Sequence, residues 1–152
     1  MENNNIFLMV KAAIVGLFGA FGAAFGWLGG LVLAWVACMV IDYISGSSAA
    51  MKAGQWSSAQ ARSGIWHKGG MIVVVIVAAL ADAVLGMVAA KVPGLPIDYT
   101  VLLLPVVLVW YILTELGSIL ENAAAMGAPV PAFLIRILAN AKDTVEDAAG
   151  EG

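Results

Sequence analysis

From Ala12 to Ile41 the chain runs thirty residues without a charged side chain. As a single helix that stretch would be about 45 Å long, against a bilayer hydrocarbon core of about 30 Å. Comparable apolar runs recur twice downstream. A water-soluble chain of 152 residues would leave much of that surface exposed. The solvent for most of this sequence is therefore lipid. Composition agrees, with 62% hydrophobic and 11% charged residues, where soluble domains carry about 25% charged. A disordered chain, a disulfide framework and an ordinary soluble enzyme are excluded. A net charge of −3 and seven scattered Lys and Arg residues give none of the basic stripe that a nucleic-acid partner requires. Cys38 is the one cysteine, sits in an apolar run, and reads as a small core residue.

One straight span fits the first run poorly, and Gly29-Gly30 is its natural breaking point. The expected spans are about 6–28, 31–50, 70–90 and 100–120. The turn signals Pro93-Gly94 and Pro96, with Asp98, separate the last two. Pro105 falls in the first turns of the fourth span, where a missing N–H is tolerated. Ser57 and Ser58 before Gln60 resemble a capping box for a short loop helix.

Gly127, Pro129 and Pro131 break the chain again. Beyond them Phe133, Leu134, Ile137, Leu138, Ala141 and Val145 recur at helical spacing, with charges mainly elsewhere. That segment is too polar to span and predicts an amphipathic helix lying on the membrane. The alternative is a tail helix packed on another subunit. The predicted architecture is all-α: a transmembrane domain over 1–125, then an amphipathic helix and acidic cytoplasmic tail over 126–152.

Four spans put six of the seven basic residues on one side, leaving only Lys91 opposite. That side is expected to be cytoplasmic, with both termini inside. A three-span arrangement, in which the first two segments fuse or the first only partly inserts, is the rival and would place Lys11 outside. Trp27, Trp56, Trp66 and Tyr99 fall near expected span ends, where interfacial anchors belong.

The spans are not uniformly apolar. Cys38, Asp42, Ser45, Gly46 and Ala49 share one helix face by their three- and four-residue spacing. Ala78, Ala79, Asp82, Gly86 and Ala89 share another, and Tyr111, Glu115, Ser118 and Asn122 a third. Small residues let helices approach and polar ones hydrogen-bond across them. An acid at bilayer depth is costly, so Asp82 is expected to face the bundle interior. Asp42 and Glu115 lie nearer the cytoplasmic end, within reach of Lys68 or Arg62. These faces read either as packing glue within one subunit or as an interface that becomes wet when helices rearrange. Gly22 and Gly26, at GxxxG spacing, are candidate helix-packing positions.

There is no phosphate loop, no dinucleotide fingerprint and no His-Glu-x-x-His pair. His67, the one histidine, sits in Trp66-His67-Lys68 and reads as a surface or anchoring residue. No nucleophile has a base beside it. No enzymatic activity, cofactor or metal is expected.

The ordered set Asp42-Tyr43-Ile44-Ser45-Gly46, then Ser57-Ser58, then Gly64 with Lys68-Gly69, resembles the holin family of phage-lysis and toxin-secretion proteins. The run Glu115-Leu116-Gly117-Ser118-Ile119-Leu120-Glu121-Asn122 is similar to that family's most recognisable segment. The resemblance covers roughly residues 32–138. Family members often carry Thr where Ser45 stands and a second Lys where His67 stands. The resemblance implies a protein that accumulates and homo-oligomerises in the cytoplasmic membrane, then opens lesions at a programmed time. Endolysin, or in some relatives a large toxin, is the released cargo. Asp42, Tyr43, Ser45, Gly46, Lys68, Asp82, Glu115, Ser118, Glu121 and Asn122 are the candidate motif and assembly residues. Two other functions fit the residues: a small proton-coupled transporter or channel using Asp82 and Glu115, and an antiholin-like regulator or scaffold that makes no hole.

Overall fold

The backbone satisfies its own hydrogen bonds by winding almost entirely into helix, as a chain in hydrocarbon must. The computed structural model describes residues 2–92 and 103–150. Its elements are α1 (Glu2–Lys52), α2 (Ser58–Lys91), α3 (Leu103–Ala125) and α4 (Ala132–Gly150). Four stretches are long and apolar enough to cross a membrane: Asn5–Ala24, Gly26–Lys52, Ser58–Lys91 and Leu103–Ala125. Four segments, not three, meet the length and composition of a span. The expected turn at Pro93-Gly94 and Pro96, with Asp98, the Tyr99 anchor and the start of the fourth span at residue 100 lie outside the described residues.

The break in α1 falls at Gly26, not at Gly29-Gly30 as expected. Gly26 has φ 67 and ψ −161, a conformation that is essentially glycine-only. Gly29 and Gly30 stay helical. Composition marks all three glycines as possible breaks, and only the backbone dihedrals choose among them.

The chain divides into two units, residues 1–34 and 35–152. The first is helical around the Gly26 break, and many of its apolar side chains, among them Phe7, Met9 and Val15, are exposed. Lys11 falls within its candidate span, where a long side chain can extend its ammonium toward the interface. A Cβ on Gly22 would meet nothing within 4 Å. Among the described residues Gly22 shows no close helix contact, and Gly26 is the break.

In the second unit the C-terminal part of α1 from Trp35, with α2 and α3, surrounds a core of Trp35, Cys38, Met39, Met71, Val75, Ala78 and Leu108. The Trp35 ring stacks on Tyr111 at 6.1 Å between centroids. Outward faces carry Val40, Ile44, Val73, Ile76 and Leu80, all exposed and suited to lipid.

Helix ends are closed by local chemistry. Both α1 and α3 stop in Schellman motifs. Gly54 (φ 68) donates to the Met51 carbonyl and Gln55 to Ala50, while Gly127 (φ 94) donates to Ala124 and Ala128 to Ala123. The Lys52 ammonium donates to the Met126 carbonyl, tying the two ends together. Ser57 caps α2, its hydroxyl accepting from the Gln60 N–H at 3.1 Å. The expected short loop helix is thus the start of α2 itself, which begins twelve residues before the predicted span at residue 70.

Helix α4 is amphipathic but does not lie free on a surface. It turns back at Gly127 and the prolines and runs antiparallel along α3. Glu146 accepts a hydrogen bond from the Trp110 indole at 2.7 Å, and the Lys142 ammonium sits 4.3 Å above that ring. Ala149 shares a groove with Val106 and Val107. Of the apolar face expected to rest on lipid, Leu138, Ala141 and Val145 are partly buried, while Phe133, Leu134 and Ile137 stay exposed. The end of α4 lies beside the start of α3.

Candidate functional site

Three helices deliver polar side chains to one place. The C-terminal part of α1 presents Asp42 and Ser45 on the same face. From α3 come Glu115, Ser118 and Asn122, spaced three and four residues apart. From α2 comes Lys68, within about its first three turns, which the sequence assigned to the connection before the span. Its Nζ donates to Asp42 Oδ2 at 2.9 Å and to Glu115 Oε2 at 2.6 Å. Among the described residues Lys68, and not Arg62, makes these ion pairs.

The remaining valences are filled by neutral donors. Asn122 Nδ2 donates to Asp42 Oδ1 at 3.0 Å and to Ser45 Oγ at 3.1 Å. The Ser45 hydroxyl donates back to the Asp42 carbonyl at 3.1 Å. Ser118 lies close to the Asp42 carboxylate. Glu115 is 4% exposed, so its charge has little water to rely on and depends on Lys68. Two carboxylates on one ammonium leave a formal charge of −1 in the cluster.

Two glycines lie against the cluster. A Cβ on Gly46 would stand 3.4 Å from Asn122 Nδ2, and one on Gly64 3.8 Å from the Tyr43 ring, both ordinary van der Waals distances. Gly46 thus adjoins Asn122 of α3, and Tyr43 lies over Gly64 of α2. A cavity of about 250 Å³ opens beside the cluster. Asp42, Lys68, Asn122, Gln60, His67 and Trp56 line it. Among the described residues no group of three or more His, Cys, Asp and Glu is arranged to hold a metal.

Asp82 lies apart from this cluster and does different work. It is 5% exposed, and its carboxylate accepts from the backbone N–H of Leu103 at 3.0 Å and of Leu104 at 2.8 Å. Pro105 follows and has no N–H to satisfy. The first turn of α3, which would otherwise leave orphan donors in hydrocarbon, is closed by an acid on α2. The positive end of the α3 dipole also favours that negative charge. The sequence put Asp82 in the bundle interior but did not reveal this partner. The available signal was an acid opposite a helix start that carries a proline in its first turn.

The candidate residues therefore fall into three groups. Asp42, Tyr43, Ser45, Gly46, Lys68, Glu115, Ser118 and Asn122 meet in or against one cluster. Asp82 caps α3. Glu121 is exposed, at the groove between α3 and α4. The chemistry of the cluster is that of a contact: ion pairs and hydrogen bonds joining three helices.

Comparison with known proteins points the same way. Residues 19–143 match the sequence model of the bacteriophage holin family. An uncharacterized protein of Listeria innocua is 32% identical over 131 residues, covering 86% of this chain and 85% of its own. An uncharacterized 14.9 kDa protein from the nagH 3′ region of Clostridium perfringens is 30% identical, covering 88% of this chain and 93% of its own. One from Halalkalibacterium halodurans is 39% identical over 93 residues, 61% of this chain and 64% of its own. No solved structure matches. The chain belongs to the bacteriophage holin family.

Proposed function

We propose that this member of the bacteriophage holin family oligomerises in the cytoplasmic membrane of a bacterium and opens lesions that let a large cargo out. An endolysin without its own export signal is the cargo that best fits a phage-lysis role, and a large toxin is the alternative. The protein works without catalysis. The bias of Lys and Arg favours a cytoplasmic side for the connections at residues 53–57 and 126–131.

The observation that carries the reading is the Lys68 clamp. Burying apolar surface gives no drive for helices to associate in lipid, so packing and polar contacts must hold them. Here the polar contacts of α1, α2 and α3 converge on one lysine, and they are satisfied within one chain. When copies crowd together, equivalent groups on a neighbour or water admitted between chains can replace those partners. A compact, closed form then gives way to an assembly with wet polar faces.

The test is culture turbidity during induced expression, with the protein alone, with a cytoplasmic endolysin, and with neither. The expected result is abrupt lysis only when both are present. Verified insertion without lysis would turn the reading toward a non-permeabilising regulator. A saturable pH-dependent flux that needs Asp82 would turn it toward a transporter.

A further inference from the structure

Helix α4 carries a partly buried apolar face, a polar stripe opposite it, and exposed Phe133, Ile135 and Ile137 on the flanks between them. Leu138, Ala141 and Val145 turn toward α3 and are partly buried. On the opposite side Arg136, Asn140, Asp143 and Asp147 form one narrow stripe, at spacings of four, three and four residues, and all are exposed. The hydrogen bond from Trp110 to Glu146 and the groove shared by Ala149, Val106 and Val107 fix the depth of that stripe. Val107 lies eighteen residues, about 27 Å of helix, back from the end of α3 at Ala125. The stripe thus runs along most of a membrane-spanning helix.

Lipid cannot be what covers it, because charged side chains at bilayer depth face a protein interior or water. Among the described residues of α2, α3 and α4, no protein interior covers the stripe, whose four side chains are exposed. In a ring of parallel copies each residue sits at one shared level, so Asp143 neighbours Asp143 and Asp147 neighbours Asp147. Direct packing of those carboxylates is repulsive, and water between them screens it. We propose that α4 lines an aqueous lumen: the Arg136–Asn140–Asp143–Asp147 stripe faces water enclosed between copies of this chain, while Leu138, Ala141 and Val145 pack toward α3. This rests on the oligomeric reading above and names the surface that would line the lesion.

The test is solvent accessibility of nitroxide labels in lipid vesicles. Single cysteines replace Asn140, Asp143, Leu138, Val145 and the lipid-facing Ile76 in a Cys38→Ala background, and release of trapped dextran is measured on the same samples. Labels at 140 and 143 are expected to collide at least several-fold more with a water-soluble nickel relaxant than the label at 76, and less with oxygen. Labels at 138 and 145 should be shielded from both. Oxygen reaching 138 and 145 would mean that α4 lies on the membrane surface, and would overturn the inference. Labels at 140 and 143 reached by oxygen, or by neither reagent, would overturn it too. If dextran is released despite such a pattern, the holin reading stands and the lumen assignment falls. If the expected pattern appears without dextran release, the water-facing stripe stands and the large-lesion reading falls.

Discussion

Lys68 holds two carboxylates, at 2.9 and 2.6 Å, while its side chain is only 15% exposed. Removing one partner from such a site leaves charge uncompensated, which costs more than the pair contributes when intact. Lys68→Met is expected to destabilise the helical bundle by about 3–5 kcal/mol, read from equilibrium unfolding in mixed SDS micelles. Adding Asp42→Asn and Glu115→Gln should recover much of that loss. A loss under about 1 kcal/mol in the single variant would mean that water already solvates the cluster. Asp82 makes a second prediction. Asp82→Leu strands the N–H groups of Leu103 and Leu104 in hydrocarbon, at several kcal/mol. Asp82→Asn keeps one acceptor and should lie between Leu and the native acid in the same assay. Equal effects of Leu and Asn would put the value of Asp82 in its charge and not in its capping bonds.

At the scale of elements, glycine decides where helices stop. Gly127 combines φ 94 with a lysine ammonium 3.0 Å from where a Cβ would stand. Gly127→Ala is expected to cost about 1 kcal/mol or more, seen as a lowered SDS midpoint together with faster proteolysis in the α3–α4 turn. Gly117→Ala, where nothing stands within 4 Å, is the neutral helical control. The spans were legible in the sequence because run length compared with bilayer thickness decides them. The position of the α1 break was not, since Gly26, Gly29 and Gly30 have the same composition signal. The start of α2 was read as loop because Arg62, His67 and Lys68 look like cytoplasmic residues, yet Lys68 turns inward. The amphipathicity of α4 announced an apolar face but not its partner. A helix bearing several charges would lose about 2.5–3.5 kcal/mol for each one placed against lipid, so its docking on α3 demands a polar environment on the other side.

At the scale of the molecule, the polar faces of α1 and α3 and the Lys68 ammonium of α2 form one device, while the Asp82 face of α2 caps α3. The sequence showed which residues share a face on each helix, because 3.6-residue periodicity is local. It could not show that the Asp42 face meets the Glu115–Asn122 face, because that pairing depends on how α1, α2 and α3 are arranged. Gly46 and Gly64 belong to the device only through contacts with Asn122 and Tyr43 on other helices. If release of this device times the opening of the membrane, changing its charges must change that time. The direct measurement is the onset of lysis in cells that also carry a cytoplasmic endolysin. Asp42→Leu and Glu115→Leu would be compared with the native chain at matched membrane levels. Onset is predicted to shift by at least several minutes in both variants, while insertion is retained. Native onset in both, at equal amounts in the membrane, would contradict the claim that the Lys68 cluster governs when the lesion opens.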